Sequence, residues 1–265
     1  MFKPKYKEPE IKLFDSHCHL DFPVFDKDRD AILKQMLKVG IEGVLIPGVT
    51  QDKWRFLRQL AALKPEVHVA LGLHPMFLKA HKKQHLHDLE LAVTVNNLAA
   101  IGEIGLDFYE KNADRKTQIS LFKAQVEIAK SAKLPIILHV RKAHDDVLLY
   151  LRALHFEYGG IVHAFNGSLE QANHYRELGF KLGFGGAITY PRAVKLRALA
   201  AQLPLSDIVL ETDAPDMKPY QSNKEFNTPL NIFHNFNSLV ELRAEPANEI
   251  AEATTRNSKQ ILGIH

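Results

Sequence analysis

The sequence predicts a (β/α)8 barrel, in which eight parallel strands alternate with helices and close into a ring. Eight short apolar runs, most of them continuous, occur along the 265 residues, as expected of strands that are covered on both faces. Stretches with apolar residues at three- and four-residue spacing separate these runs and indicate amphipathic helices. The alternation continues along the whole chain, which favours one barrel domain over residues 1–265. An open, doubly wound parallel sheet is the alternative topology.

The predicted strands end in polar or small residues, and the predicted helices carry recognisable starts and stops. In chain order the predicted strands are Ile11–Asp15, Gly43–Pro47, Val67–Leu73, Ala99–Glu103, Pro135–His139, Gly160–His163, Phe180–Phe184 and Asp207–Glu211. The predicted helices are Asp28–Val39, Lys53–Leu63, His87–Asn97, Arg115–Lys133, Ala143–Leu154, Leu169–Leu178, Arg192–Gln202, Leu230–Arg243 and Ala247–Leu262. Helix starts are marked by Asp30, Asp52, Asp114 and Ser168, and helix ends by Gly40 and Gly179.

The composition is that of an ordinary globular protein with a buried core. Hydrophobic residues make up 46% of the chain and charged residues 25%. The net charge of +3 is too small to indicate a polyanionic partner by itself. The single cysteine, Cys18, excludes an internal disulfide and fits a reducing compartment. No apolar run reaches the roughly 18 residues of a membrane span, and residues 1–10 are polar. We therefore expect a cytoplasmic protein without a signal peptide, a membrane contact or an obligate protein partner.

Side chains that bind metal ions follow five of the predicted strands. His17 and His19 are separated by one residue at the end of strand one, so both face the same side. His139 follows strand five and His163 follows strand six. Because the C-terminal ends of barrel strands share one mouth, we expect these side chains to converge. The full predicted set is His17, His19, Glu103, His139, His163 and Asp213.

This set suits two metal ions better than one. Four imidazoles and two carboxylates exceed the needs of one tetrahedral ion and match two ions that share a bridging carboxylate. Glu103 follows an apolar run, where a carboxylate requires a positive partner. Taken singly, His139 and His163 are each more typical of hydrogen-bonded core histidines, and Asp213 is typical of a turn cap before Pro215. That all six follow strands favours a metal centre.

Three further polar residues follow predicted strands: His74 after strand three, Asp107 after strand four and Arg141 after strand five. The other histidines and the cysteine are predicted to have no part in the site. We expect solvated surface for His81, His85 and His87, structural packing for His68 and Cys18, and unremarkable helix or loop positions for His155, His174 and His234.

Six motifs occur in order along nearly the whole chain. They are Asp15–Leu20, Gly72–Pro75, Gly102–Asp107, Pro135–Arg141, His163–Gly167 and Glu211–Pro215. In this order they resemble the TatD family of metal-dependent hydrolases. Gly186–Arg192 and Asp213–Met217 are most similar to its YjjV-type branch. The resemblance implies an amidohydrolase-like barrel that hydrolyses ester bonds, since several members are deoxyribonucleases that release nucleotides from the 3′ end.

Carried over position by position, the resemblance implies two divalent metal ions, of zinc, magnesium or manganese, with Glu103 as the bridging ligand. His17, His19 and Asp213 match the remaining ligands of one ion, and His139 and His163 those of the other. The implied catalytic residues are Glu103 and Asp213. A hydroxide held between the two ions would attack the substrate, and Asp213 would orient this hydroxide or accept its proton. His74 and Arg141 match positions beside the substrate.

The chain departs from the family pattern at three positions outside the implied ligands. Lys142 stands where many relatives have Asp, Asn166 stands where Ser is common, and Phe226 replaces a basic residue before Asn227. These departures bear on the substrate rather than on the metal ions.

The favoured function is a two-metal phosphodiesterase, a deoxyribonuclease of the 3′–5′ exonuclease type that acts on single-stranded DNA. Lys79, Lys82 and Lys83 follow strand three, and Arg141 and Lys142 follow strand five, so a basic rim is expected at the mouth. A solvated surface run explains the strand-three lysines equally well. The alternative is a hydrolase of a small-molecule amide, lactone or phosphoester. A metal-binding protein without activity is disfavoured, because an open site with convergent ligands usually has a substrate.

Overall fold

The computed structural model describes residues 11–95 and 98–264. Within them, eight parallel strands form one sheet in the order in which they occur along the chain. The strands are β1 (Leu13–Asp15), β2 (Ile41–Pro47), β3 (Val67–Leu71), β4 (Ala100–Asp107), β5 (Ile136–Arg141), β6 (Gly160–Val162), β7 (Phe180–Phe184) and β8 (Ile208–Leu210). Helices lie between the strands, so the predicted (β/α)8 barrel is confirmed.

Hydrogen bonds between β1 and β8 join the two edges of the sheet. The backbone N–H of Ser16 donates to the carbonyl oxygen of Leu210 at 3.0 Å, and the Ser16 hydroxyl donates to the same oxygen at 2.9 Å. The Thr212 hydroxyl donates to Asp15 Oδ2 at 2.5 Å, and the Thr212 backbone N–H donates to Asp15 Oδ1 at 2.9 Å. The first and last strands are therefore tied together at the mouth of the barrel.

Strand β4 is longer than predicted, and this changes where Glu103 lies. The sequence placed the end of this strand at Glu103, but β4 stays paired with β5 as far as Asp107 opposite Arg141. Gly105 makes the continuation possible: its φ is +151°, and a Cβ there would lie 1.9 Å from the carbonyl oxygen of His139. Glu103 thus lies within the strand and is only 1% exposed.

The helices begin and end close to their predicted positions. They are α1 (Arg29–Lys38), α2 (Trp54–Leu63), α3 (Lys83–Val95), α4 (Arg115–Ala132), α5 (His144–Ala153), α6 (Leu169–Glu177), α7 (Val194–Gln202), α8 (Ile232–Leu242) and α9 (Ala247–Ile261). Helix α3 starts four residues before His87, because its first turn is polar and has no apolar spacing to mark it. Asp114 and Ser168 cap α4 and α6 as predicted, and Gly40 and Gly179 follow helix ends with positive φ.

Two predictions about the ends of elements fall partly outside this description. Residues 1–10, expected to be a polar stretch ahead of the first strand, and Asn97, the predicted end of the third helix, lie outside the described residues. In residues 11–95 and 98–264 no helix has the length and apolar character that crossing a membrane requires.

The buried apolar residues form two layers that support the mouth. The larger layer lies between the strands and the surrounding helices and includes Cys18, which is fully buried as predicted. The smaller layer fills the interior of the barrel with one side chain from each of seven strands, closed by Leu262: Phe14, Leu45, Ala70, Ala100, Ile137, Ile161 and Val209. Residues farther along these strands, towards their C-terminal ends, therefore project above a packed floor.

Candidate metal centre

The Glu103 carboxylate lies at the centre of a ring of imidazoles. Its Oε2 lies 3.2 Å from Nε2 of His17 and 3.4 Å from Nε2 of His19. Its Oε1 lies 3.1 Å from Nδ1 of His139 and 3.0 Å from Nε2 of His163. The two oxygens of one carboxylate therefore face two different pairs of histidines.

Asp213 completes the group of donors around Oε2. Its Oδ1 lies 3.6 Å from Nε2 of His17 and 3.7 Å from Nε2 of His19, while the two histidine nitrogens are 3.2 Å apart. Asp213 has a left-handed backbone conformation with φ of +53°, which turns the chain sharply after β8. All six side chains predicted from the sequence thus lie together at one mouth.

The spacing of these atoms fits a cation. For a metal ion about 2.1 Å from each of two donors that lie 3.0–3.7 Å apart, the donor–metal–donor angle would be about 90–125°. This range brackets the tetrahedral angle. Among the described residues, no donor meets Glu103 Oε2 in hydrogen-bond geometry, although this oxygen is buried. A buried carboxylate oxygen without such a bond is costly, and a bound cation would remove that cost.

His74 also contacts Glu103, but through a fixed hydrogen bond. Its Nδ1 accepts the backbone N–H of Met76 at 3.1 Å, so in the neutral ring the proton is on Nε2, which lies 3.1 Å from Glu103 Oε1. His74 therefore donates to Glu103 and orients it. The His74 side chain is buried, and its predicted position beside the substrate stays a prediction.

Charges within the cluster shift the pKa values of its members in opposite directions. Burial would raise the pKa of Glu103, but the surrounding imidazoles, His74 and His163 first, hold it well below the usual range. Burial would lower the pKa of His163, but the Glu103 carboxylate raises it to about 10, and a similar balance brings His19 to about 9. Burial, joined by repulsion from His163, lowers the pKa of His17. The environment of Glu103 thus favours positive charge beside this carboxylate, which is the charge that a bound cation would supply.

Two carboxylates, Asp107 and Glu211, lie behind the ring of histidines. Asp107 Oδ2 lies 3.0 Å from Nε2 of His139, which leaves Nδ1 of that ring to face Glu103. Glu211 Oε1 accepts the backbone N–H of Ala164 at 2.6 Å and lies 3.8 Å from Nδ1 of His163. Burial raises the pKa of Glu211 to about 8, although His163 opposes the shift. The Asp107 contact fixes both the tautomer and the orientation of His139, whereas no hydrogen bond from the described residues reaches Nδ1 of His163.

Asn227 fixes the loop that carries Asp213. Its buried amide donates to the carbonyl oxygens of Thr212 and Asp216, both at 2.8 Å. Its Oδ1 accepts the backbone N–H of Thr228 at 2.9 Å and the side-chain amide of Asn231 at 2.8 Å. Glu211, Asn227 and His144 had no predicted role. Glu211 lies in the motif Glu211–Pro215 and Asn227 follows the departure at Phe226, whereas His144 carries no signal that distinguishes it from any other residue at a helix start.

Two of the histidines expected at the surface, His81 and His85, are half-buried instead. Nε2 of His81 lies 2.8 Å from the carbonyl oxygen of His74, so the prediction of solvated surface is wrong for His81. The reason is the 3₁₀ turn Pro75–Ala80, which packs against β4 and α4 and brings His81 back to His74. His87 is exposed as expected and lies 3.5 Å from Glu90.

Cations and one aromatic ring line the outer mouth beside β4 and β5. The Arg141 guanidinium lies 3.6 Å from the centroid of the Tyr109 ring, and the Lys142 ammonium lies 4.7 Å from it. Tyr109 is 47% exposed. A cavity of about 590 Å³ opens beside them and is lined by His139, Arg141, His163, Asn166, Phe184 and Asp213, among others. This volume is in the range of pockets that hold small ligands.

A barrel of eight parallel strands with histidines and carboxylates clustered at its C-terminal mouth is the arrangement of metal-dependent hydrolases. A family model described as TatD related DNase matches residues 14–263. The chain therefore belongs to the TatD family.

Individual relatives agree with this assignment. The uncharacterized metal-dependent hydrolase YjjV from Escherichia coli K12 is 38% identical over 255 residues, which cover 96% of this chain and 98% of YjjV. The crystal structure of E. coli YjjV matches with a TM-score of 0.93 and covers 97% of this chain. A protein named 3′-5′ ssDNA/RNA exonuclease TatD, from Erwinia billingiae, is 30% identical over 260 residues, or 95% of this chain and 99% of that protein. The expected similarity to the YjjV-type branch is confirmed.

Proposed function

We propose that this metal-dependent hydrolase is a two-metal phosphodiesterase that removes nucleotides from the 3′ end of single-stranded DNA. One group of ligands is His17, His19, Asp213 and Glu103 Oε2. The other is His139, His163 and Glu103 Oε1. Divalent ions bound there would lower the pKa of a water molecule and neutralise charge on the phosphoryl oxygens.

The observation that carries the proposal is that the two oxygens of the Glu103 carboxylate are divided between two pairs of histidines. Each oxygen faces its own pair of histidines at 3.0–3.4 Å, and a ligand set for a single ion would leave one of the pairs without a function. Two adjacent ions suit displacement at phosphorus, because together they can stabilise the attacking and the leaving oxygen. The division therefore suits hydrolysis of a phosphoester.

The protein side chains would perform three tasks in this reaction. Asp213 lines the cavity and would accept the proton of the attacking water. Arg141, which is also on the cavity wall, would bind a phosphoryl oxygen. Lys142 and the exposed ring of Tyr109 lie beside Arg141, where a phosphate and a stacked base of the next nucleotide could bind.

The name of the Erwinia billingiae relative, 3′-5′ ssDNA/RNA exonuclease TatD, supports single-stranded nucleic acid as the substrate class. A small-molecule substrate is the second candidate, favoured by the cavity walls at Phe165, Phe184, Leu196 and Met217. These apolar side chains would suit a compact organic group better than a phosphate chain. The two candidates differ in whether the rest of a polynucleotide contributes to binding.

The test is hydrolysis by metal-reconstituted protein of a single-stranded oligonucleotide, a generic phosphodiester, and a panel of amides and lactones. We expect cleavage of the oligonucleotide from its 3′ end, loss of activity with EDTA, and a higher KM for the oligonucleotide in Arg141→Ala. Lys34→Ala, an exposed cation on α1, is the matched control and should behave as the parent. Equal efficiency on the generic phosphodiester would favour the small substrate, and turnover of amides or lactones alone would refute the nuclease.

A further inference from the structure

Three side chains outside the metal centre form a continuous chain of hydrogen bonds that ends at the cavity. The buried His144 is the first residue of α5. Its Nδ1 lies 3.2 Å from the hydroxyl of Tyr175, and its Nε2 lies 3.2 Å from Oδ1 of Asn166. The amide of Asn166 donates to the carbonyl oxygen of Ala164 at 3.1 Å. Asn166 lies three residues after His163 and lines the same cavity.

The partners fix the direction of every hydrogen bond in this chain. The carbonyl oxygen of Ala164 accepts only, so Asn166 must turn its NH₂ group towards it and its Oδ1 towards His144. Oδ1 also accepts only, so His144 must carry a proton on Nε2. Burial lowers the pKa of His144, so the ring is neutral and its Nδ1 accepts from Tyr175. Burial raises the pKa of Tyr175, which keeps its hydroxyl protonated as the donor.

The outcome is an amide whose donor side is held at the cavity wall. One N–H of Asn166 is used by Ala164, and the second is left for a molecule in the cavity. An inverted amide would present its oxygen, which would repel an anion, and would leave both His144 and the carbonyl oxygen of Ala164 with the wrong partner. The buried pair of Tyr175 and His144 thus fixes the oxygen end of Asn166, while Ala164 fixes its NH₂ end.

We propose that Asn166 binds a phosphoryl oxygen of the substrate through this second N–H, and that Tyr175 and His144 are positioning residues that act through Asn166. The proposal rests on the proposed function in one respect, because it takes the ligand of Asn166 to be a phosphoryl group. It adds a substrate contact, after β6, in the cavity that Arg141 on β5 also lines.

The first test is the tautomer of His144, which does not depend on activity. In protein labelled with ¹⁵N-histidine, the ring signals of His144 are those absent from the spectrum of His144→Gln. We expect one pyrrole-type nitrogen, assigned to Nε2, and one pyridine-type nitrogen, assigned to Nδ1, near neutral pH. A proton on Nδ1, or on both nitrogens, would overturn the proposed direction of the chain.

The second test is the affinity of the metal-reconstituted protein for inorganic phosphate, measured by calorimetry. Asn166→Ala should weaken binding by about tenfold or more, as expected for a lost hydrogen bond to a charged group. Parent protein that binds no phosphate, or equal affinity in parent and variant, would refute the contact. Failure to cleave phosphodiesters would refute the proposed function instead, and the two results are obtained separately.

The third test separates positioning from general support of the fold. Tyr175→Phe removes one hydroxyl and keeps the ring, so it should weaken phosphate binding several-fold in the parent and have no further effect in Asn166→Ala. The same loss in both backgrounds would show that Tyr175 acts on the fold and would overturn its assigned role. Thermal midpoints and metal content of each variant are measured alongside, so that a folding defect is recognised.

Discussion

Replacing Glu103 by glutamine tests the central feature of the site with the smallest change in shape. Glutamine keeps one oxygen and puts an NH₂ group, which cannot bind a cation, in place of the other. One pair of histidines, 3.0–3.4 Å from the lost oxygen, would therefore lose its shared ligand completely. The other pair would keep a neutral oxygen in place of a charged one.

The expected magnitude follows from the number of contacts. Loss of a group that merely supports a metal ligand costs about 10–100-fold in metal affinity or activity. Glu103 is a direct neighbour of both donor groups, so we expect Glu103→Gln to lower kcat/KM by about 100-fold or more. Metal content after dialysis should fall from two ions per chain to at most one. His163→Ala, which alters a single group, should lose one ion and keep the other.

The assay combines elemental analysis of dialysed protein with hydrolysis rates at a fixed concentration of free metal. Glu110→Gln is the matched control, because Glu110 is exposed at the same end of the barrel. Thermal midpoints in EDTA show whether the fold is kept. If Glu103→Gln binds as much metal and turns over as fast as the parent, the bridging role of Glu103 is wrong.

Three other predictions follow from residues around the site. Asp107→Asn should reduce metal affinity by about 10–100-fold, measured by competition with a chelator, because it weakens the contact that orients His139. Asn227→Ala should lower the free energy of unfolding by about 2–3 kcal/mol in chemical denaturation, since it leaves buried carbonyl oxygens without a donor; a loss below 1 kcal/mol would contradict this. Burial lowers the pKa of His144 in the folded protein below the ordinary 6.5 of the unfolded chain. The contribution of the neutral ring to stability is therefore complete above pH 6.5, and it is lost as the pH falls through the pKa of the folded state. The thermal midpoint of the parent should therefore drop more between pH 7.5 and 5 than that of His144→Gln, and parallel profiles would argue against a buried neutral ring.

The barrel itself could be predicted from the sequence because its strands are covered on both faces. Runs such as Pro135–His139 carry a continuous apolar signal, and the parallel arrangement brings their C-terminal ends to one mouth whatever the details of packing. For the same reason, residues that directly follow the strands could be grouped before any contact was known. His17 and Asp213, which come from the two ends of the sheet, lie 3.6 Å apart in that group.

What the sequence could not supply are contacts that depend on pairing and on distance in space. The length of β4 depends on the close approach of Gly105 to the backbone of His139. No property of the segment Ala99–Glu103 indicates this approach. His144 meets Tyr175, 31 residues away, only because α5 packs beside α6. The burial of His81 similarly requires a turn whose fold is set by its contact with His74. Periodicity describes each element by itself and contains none of these relations.

The joining of β1 to β8 has a consequence for how the protein is made. Asp15 and Thr212, which tie the two strands together, are 197 residues apart, and the donors His17 and Asp213 lie beside them. At a synthesis rate of about 5–20 residues per second, the first histidines leave the ribosome about 10–40 s before the last carboxylate is available. During that time the nascent chain holds an incomplete set of donors, and the group that includes Asp213 is completed only when the eighth strand docks. A metal ion that requires Asp213 as a ligand would therefore bind late, to the finished barrel.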